Sequence, residues 1–176
     1  MRQLKKQVWV LSIAAAVFCL SAPSAHAGVA SSSFTVSAAV AASCSISTAN
    51  LSFANYDPIA ANAAAPLDVD GSVTVTCTKG SQVWIDLNPG THGASAVGTT
   101  RAMQSGASDF LSYELFSNLG RTTVWGVGNP PGGSGFAPAP APNKNPRSFT
   151  IFGRVPAGQD SAVGNYTDSV QATVNF

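Results

Sequence analysis

The sequence predicts an all-β sandwich, and three observations carry that expectation. Apolar and polar residues alternate with a period of two in one short run after another, and no window sustains a 3.6-residue period. Gly, Pro and Asn separate the runs, as turns between short strands require. Charged residues are only 10% of the chain, and Ala, Ser, Thr, Val and Gly displace the helix-favouring Lys, Glu, Arg and Leu.

Taken in order, the chain opens on an export signal. Arg2, Lys5 and Lys6 form a basic start, Val8 to Leu20 an apolar stretch of roughly 13 residues, and Ala25-His26-Ala27 a small–x–small cleavage pattern. A bilayer span needs about 20 residues, so the segment 1–27 reads as a signal peptide to be removed and not as a membrane anchor. Residues 28–43 follow, with Phe34, Val36, Ala38 and Val40 on one face and Thr35 and Ser37 on the other, the pattern of a strand. Leu51 and Phe53 begin another run. Leu67, Val69, Val73, Val75 and Cys77 alternate with Asp68, Asp70, Ser72, Thr74 and Thr76, a half-buried strand. Val83, Ile85 and Leu87 follow, stopped by Asn88-Pro89-Gly90. Leu111, Tyr113 and Leu115 form the next run and Thr122 to Trp125 a short one. Phe149, Ile151 and Val155 come after, with Gly153 at the same parity. The last run is Val170, Ala172, Val174 and Phe176.

Two stretches read as loops: Gly90 to Gly106, and Gly126 to Pro146, whose prolines lack ladder donors. The Pro-Ala repeat 137–142 favours extended polyproline geometry, and the bland reading of a tolerated surface insertion outweighs that of a binding loop.

The mature chain, 28–176, holds six basic and eight acidic side chains, so no basic patch remains for nucleic acid. It holds two cysteines, Cys44 and Cys77, which in an exported chain most simply form a disulfide. A metal or thiol site would want His or acidic ligands nearby, and His92 is the only mature histidine. One imidazole and no nucleophile-elbow motif argue against a Ser-His-Asp triad. Asp57, Asp86, Asp109, Glu114 and Asp160 are scattered, and Asp68 and Asp70 lack the further oxygen ligands a calcium site requires. The glycine-rich loops lack the Lys and the following helix that would hold a phosphate. Trp84 and Trp125 suit packing better than a carbohydrate platform. No enzyme activity and no cofactor are expected.

The ends of the mature chain are unusual. Phe176 is both the last residue and an inward-facing member of its strand, where domains commonly fray into polar sequence. The two terminal strands either pair within a complete sandwich or are left without a partner, and the pattern alone leaves both open.

The motifs along the chain come in a definite order: Ala-Ala-Ser-Cys44-Ser-Ile, Leu51-Ser-Phe53 with Tyr56-Asp57-Pro58, and Val73-Thr-Val-Thr-Cys77-Thr-Lys-Gly80. Leu111-Ser-Tyr113-Glu-Leu115, Arg121-Thr-Thr-Val-Trp125-Gly126, Ile151-Phe-Gly-Arg-Val-Pro156 and Gly164-Asn-Tyr166-Thr-Asp168 follow. In these motifs and their order the chain resembles the spore coat protein U domain family, which includes the subunits of archaic chaperone–usher pili. The resemblance spans residues 30–176, and the Pro-Ala segment 137–142 departs from it as a loop variation.

It implies an incomplete immunoglobulin-like β-sandwich over 44–176, completed by a donor strand from another chain. Phe34, Val36, Ala38 and Val40 would be the donor strand, in the segment 28–43. Tyr166, Val170, Ala172, Val174 and Phe176 would be the acceptor edge. The implied partners are a periplasmic chaperone, an outer-membrane usher and neighbouring pilin subunits, and the implied destination is a cell-surface pilus supporting adhesion and biofilm formation. The alternative is a free-standing secreted β-sandwich that serves as a binding or coat protein.

Overall fold

The computed structural model describes residues 27–106 and 108–176, so the expected signal peptide falls, but for Ala27, outside the described residues. The chain divides into two units, one ending at Ala38 and one spanning Ala39–Phe176.

In the first unit, residues 27–38 contain no strand and every side chain is exposed, Phe34 and Val36 at 87% and 83%. The strand expected at 34–40 is therefore absent. Alternation equips a segment to be a strand, but a strand exists only where a second backbone completes its ladder.

Among the described residues the second unit contains seven strands: β1 (Cys44–Thr48), β2 (Leu67–Cys77), β3 (Trp84–Leu87), β4 (Arg101–Ser105), β5 (Asp109–Phe116), β6 (Arg147–Val155) and β7 (Ala172–Asn175). All pairings are antiparallel. One sheet has the order β1-β2-β6-β5-β4, and β3 and β7 form a second, two-stranded sheet. Between the layers lie Val73 and Val75 of β2, Ile85 and Leu87 of β3, Leu111, Tyr113 and Leu115 of β5, Ile151 and Val155 of β6, and Trp125. Each apolar side chain removed from water contributes roughly 1.5–3 kcal/mol, so this alternation is what drives the layers together.

The exposed face of the large sheet is held by cross-strand pairs. Asp68 faces Arg154 directly in register and accepts two hydrogen bonds from it, at 2.7 and 2.8 Å. Arg121 reaches Asp70 at 2.8 Å, and Thr74 and Ser148 share a hydroxyl hydrogen bond at 2.6 Å. Asp68 and Asp70 are thus partnered by arginines, and no group of three or more metal-ligating side chains occurs among the described residues.

Three further expectations change. Leu51 and Phe53 belong to no strand. They lie on the inner face of the sheet, where a Cβ on Gly153 would come within 3.0 Å of Phe53 Cζ and 3.3 Å of Leu51 Cδ1. The missing side chain at an inward position of β6 is the seat for both.

Residues 101–105, expected within a loop, are β4. Its buried residues are Arg101 and Ala102, a charged residue and its immediate neighbour, which show no period-two alternation. Arg101 is tolerated there because its guanidinium donates to the carbonyls of Leu87 (2.8 Å), Asn88 (3.0 Å) and Trp125 (2.7 Å) and pairs with Glu114. Glu114 in turn accepts from the N–H of Thr100 and of Leu115. A buried pair is tolerated when its remaining lone pairs and protons are satisfied in this way.

The Gly/Pro-rich stretch 126–146 is also more than a surface insertion. Phe136 exchanges two backbone hydrogen bonds with Ile85, at 2.8 and 2.9 Å, and packs its ring 4.9 Å from Trp125 and 5.2 Å from Phe149. Ala141 donates to Ser81 O and accepts from Gly80 N. The stretch lies along the outer edge of β3.

Candidate functional site: an open sheet edge

The C-terminal segment passes from one sheet to the other. Thr167 exchanges two backbone hydrogen bonds with Gln104 of β4, at 2.9 and 3.0 Å. Four residues on, Asn88 N donates to Gln171 O, and β7 then pairs with β3 from Leu87↔Ala172 to Trp84↔Asn175.

Asp168 fixes the crossing point. Its carboxylate, 2% exposed, accepts from Tyr113 Oη at 2.7 Å and from Thr91 N at 2.8 Å, and His92 Nδ1 lies 3.4 Å away. Burial, reinforced by the hydrogen bond to Asp168, holds the Tyr113 phenol far above its ordinary pKa, so it stays a donor. Gly90 makes room for that carboxylate: a Cβ there would sit 1.9 Å from Asp168 Oδ2, and its φ of +77° already favours glycine. The sequence presents Asp168 only as the end of Gly-x-Tyr-x-Asp. Its role as the clamp of the last strand becomes visible once Tyr113 and Thr91 are brought to it.

From Tyr166 to Val174 burial alternates strictly. Tyr166, Asp168, Val170, Ala172 and Val174 are half-buried and point to the core, while Thr167, Ser169, Gln171 and Thr173 are exposed. Tyr166, Val170, Ala172 and Val174 pack against the core without closing it, and Phe176 is 58% exposed. Among the described residues no strand pairs with the second edge of β7, and none with the second edge of β1. These two edges approach each other across the open side of the sandwich. Ile46, Leu51 and Phe53, which the sequence did not point to as part of this site, are half-buried against the same core.

Cys44 and Cys77 form a disulfide at directly opposed positions of β1 and β2, with Cα atoms 4.2 Å apart. Thr78 N donates to Ser43 O beside it. The bond ties the edge strand β1 to the long interior strand β2, and a persistent disulfide belongs to an oxidising, extracytoplasmic compartment.

Chemically, this surface can accept a strand. It offers two rows of unpaired N–H and C=O groups flanking an apolar floor, the arrangement that strand addition satisfies.

The family model for the spore coat protein U domain matches residues 30–173. Protein U of Myxococcus xanthus is 34% identical over 190 residues, covering all of both chains. The crystal structure of the CsuC–CsuE chaperone–tip adhesion subunit pre-assembly complex, from archaic chaperone–usher Csu pili of Acinetobacter baumannii, matches with a TM-score of 0.54 and 23% identity. That match covers 78% of this chain and 40% of the other, and it is a likeness of fold, the incomplete immunoglobulin-like sandwich. By the family match and the full-length relative, the chain belongs to the spore coat protein U domain family, which is structural and not enzymatic.

Proposed function

We propose that this chain is the structural subunit of a surface pilus that polymerises by donor-strand exchange and supports adhesion and biofilm growth. The observation that carries the reading is the open edge of β7. Its row of Tyr166, Val170, Ala172 and Val174 remains half-buried, and Phe176 exposed, for want of one more strand. Phe34, Val36, Ala38 and Val40 of a neighbouring copy suit that vacancy, being alternate, apolar and exposed. Burying roughly 300–400 Å² of apolar surface would contribute about 8–10 kcal/mol before ordering costs. A periplasmic chaperone would hold the edge during transit, and an outer-membrane usher would exchange the chaperone's strand for the next subunit's. In this reading residues 28–43 are the donor segment, 44–176 the acceptor domain and 1–27 the removed signal.

The place where the extension leaves the sandwich supports one direction of stacking. Residues 39–43 leave the sandwich at the end where β1 begins, and a head-to-tail contact repeated without closure gives a filament. Each extension therefore enters its neighbour from the opposite end and runs antiparallel to β7.

Electrophoresis of cell-surface material in denaturing detergent tests this. A ladder of oligomers before boiling that collapses to monomer after boiling supports strand exchange, whereas monomer in both lanes overturns it. Identity to Protein U favours a second reading, a coat protein. That reading predicts coat-associated material with no regular ladder.

A further inference from the structure

The charged side chains of the sandwich sort by where their partners are. Arg101 pairs with Glu114, Arg154 with Asp68 and Arg121 with Asp70. Asp168 is held by Tyr113 and Thr91, and Asp86 by Gly128 N and Asn175 Nδ2. Six remain that take no part in a salt bridge among the described residues: Lys79, Lys144, Arg147, Asp57, Asp109 and Asp160.

These six segregate by end. Lys79 follows β2, Lys144 precedes β6, and Arg147 begins β6 opposite Val75. The Gly80 N to Ala141 O hydrogen bond brings the first two loops together. This is the end where Cys44 meets Cys77 and residues 39–43 depart. Asp57 lies in the loop before β2 and Asp160 in the loop after β6, and Gly158 N donates to Asn62 O between those loops. Asp109 begins β5, whose antiparallel register against β6 puts it beyond the β6 C-terminus, and Ser161 Oγ donates to Phe110 O there. All but Arg147 are exposed; Arg147 is half-buried above the Phe149 ring with its Nη1 donating to Ala139 O. It adds positive charge to this end, while Lys79 and Lys144 supply the free cations among the described residues. The N–H groups of Ala60 and Ile59 hold Asp57 below the usual carboxylate range, which keeps it charged.

We propose that the basic end, Lys79, Lys144 and Arg147, docks against the acidic end, Asp57, Asp109 and Asp160, of the next copy of this chain. The contact forms body to body, alongside the exchanged strand. It rests on the head-to-tail fibre above, because the end from which residues 39–43 depart is the basic one and enters its neighbour at the acidic one. Opposite charges meet at every joint, and two like ends repel, so the same six residues disfavour a reversed subunit.

The test uses the full chain, expressed with its assembly partners, and quantifies the heat-labile ladder. Lys79→Glu/Lys144→Glu and Asp109→Lys/Asp160→Lys should each lower the fraction of subunit in the ladder roughly fivefold or more, since such steering commonly changes association tenfold or more. The quadruple variant, with its charges exchanged between ends, should return to within about twofold of wild type. A fold damaged by the substitutions would instead leave the quadruple variant worst of all. Wild-type ladder levels in either double variant, or a quadruple variant as poor as the doubles, overturns the end-to-end contact while leaving the fibre intact. A wild-type chain without a ladder overturns the fibre reading and this contact together.

Discussion

Phe136 and Ala141 cover the outer edge of β3 from within the chain, bonding to Ile85 and Ser81. The outer edge of β7, one strand away in the same small sheet, has no such cover among the described residues. The covering segment contains Pro138 and Pro140, which have no N–H to offer, so it ends the sheet without extending the ladder outward. Evidently this fold can close an edge with its own chain. The edge of β7 is by contrast left apolar below and, among the described residues, without a paired strand along its backbone.

Changes at the two edges should separate assembly from stability. The largest expected effect is on assembly alone: Phe34→Asp should abolish the heat-labile ladder, because an unpaired carboxylate in an apolar groove costs several kcal/mol. Its own sandwich should melt as wild type when bound to the chaperone, since Phe34 is exposed. If the melting temperature falls together with the ladder, residues 34–40 serve their own fold and the contrast between the edges fails.

Phe136→Ala at the closed edge should do the reverse. Losing the ring between Trp125 and Phe149 should remove about 3–5 kcal/mol of stability, read by denaturant unfolding, with any loss of fibre following from the loss of fold. Cys44→Ala with Cys77→Ala should cost roughly 3–4 kcal/mol on the chain-entropy model and lower the exported yield.

The smallest effect lies away from both edges. Arg154, then Arg121, lowers the Asp68 pKa, so the pair stabilises the fold above the ordinary carboxylate value of about 4. That contribution is lost as pH falls through the lowered folded value. Asp68→Asn should therefore destabilise by at most about 1 kcal/mol at neutral pH, because the pair is one-third exposed, and should match wild type in strong acid. A gap that persists in strong acid would mean that the pair does not act through charge.

The two edges also differ in how legible they were. Strands β2, β3, β5 and β6 follow from Val, Ile and Leu at alternate positions, and Val170 to Val174 announces its inward row in the same way. The closed edge was hidden. Phe136 stands alone among Gly, Pro and Ala, and a single bridge to Ile85 has no period to detect. β4 was hidden for a different reason, since an arginine occupies its buried position and only the carbonyls of Leu87, Asn88 and Trp125 explain it. The 34–40 run shows the converse, where the pattern is clear but no strand pairs with it among the described residues.

In the proposed fibre, the Cys44–Cys77 bond has a mechanical consequence under tension. A pull on residues 28–43 enters the sandwich at Ser43 and passes within one residue into the disulfide, then into β2, which is paired on both sides. The bond closes the chain between the two cysteines into a loop, so that chain cannot be drawn out end to end. Their separation of 33 residues would otherwise release about 110 Å of extended chain. A subunit pulled at its own extension is thus barred from paying out that slack, and the fibre should yield at the exchanged strand before β1 peels away.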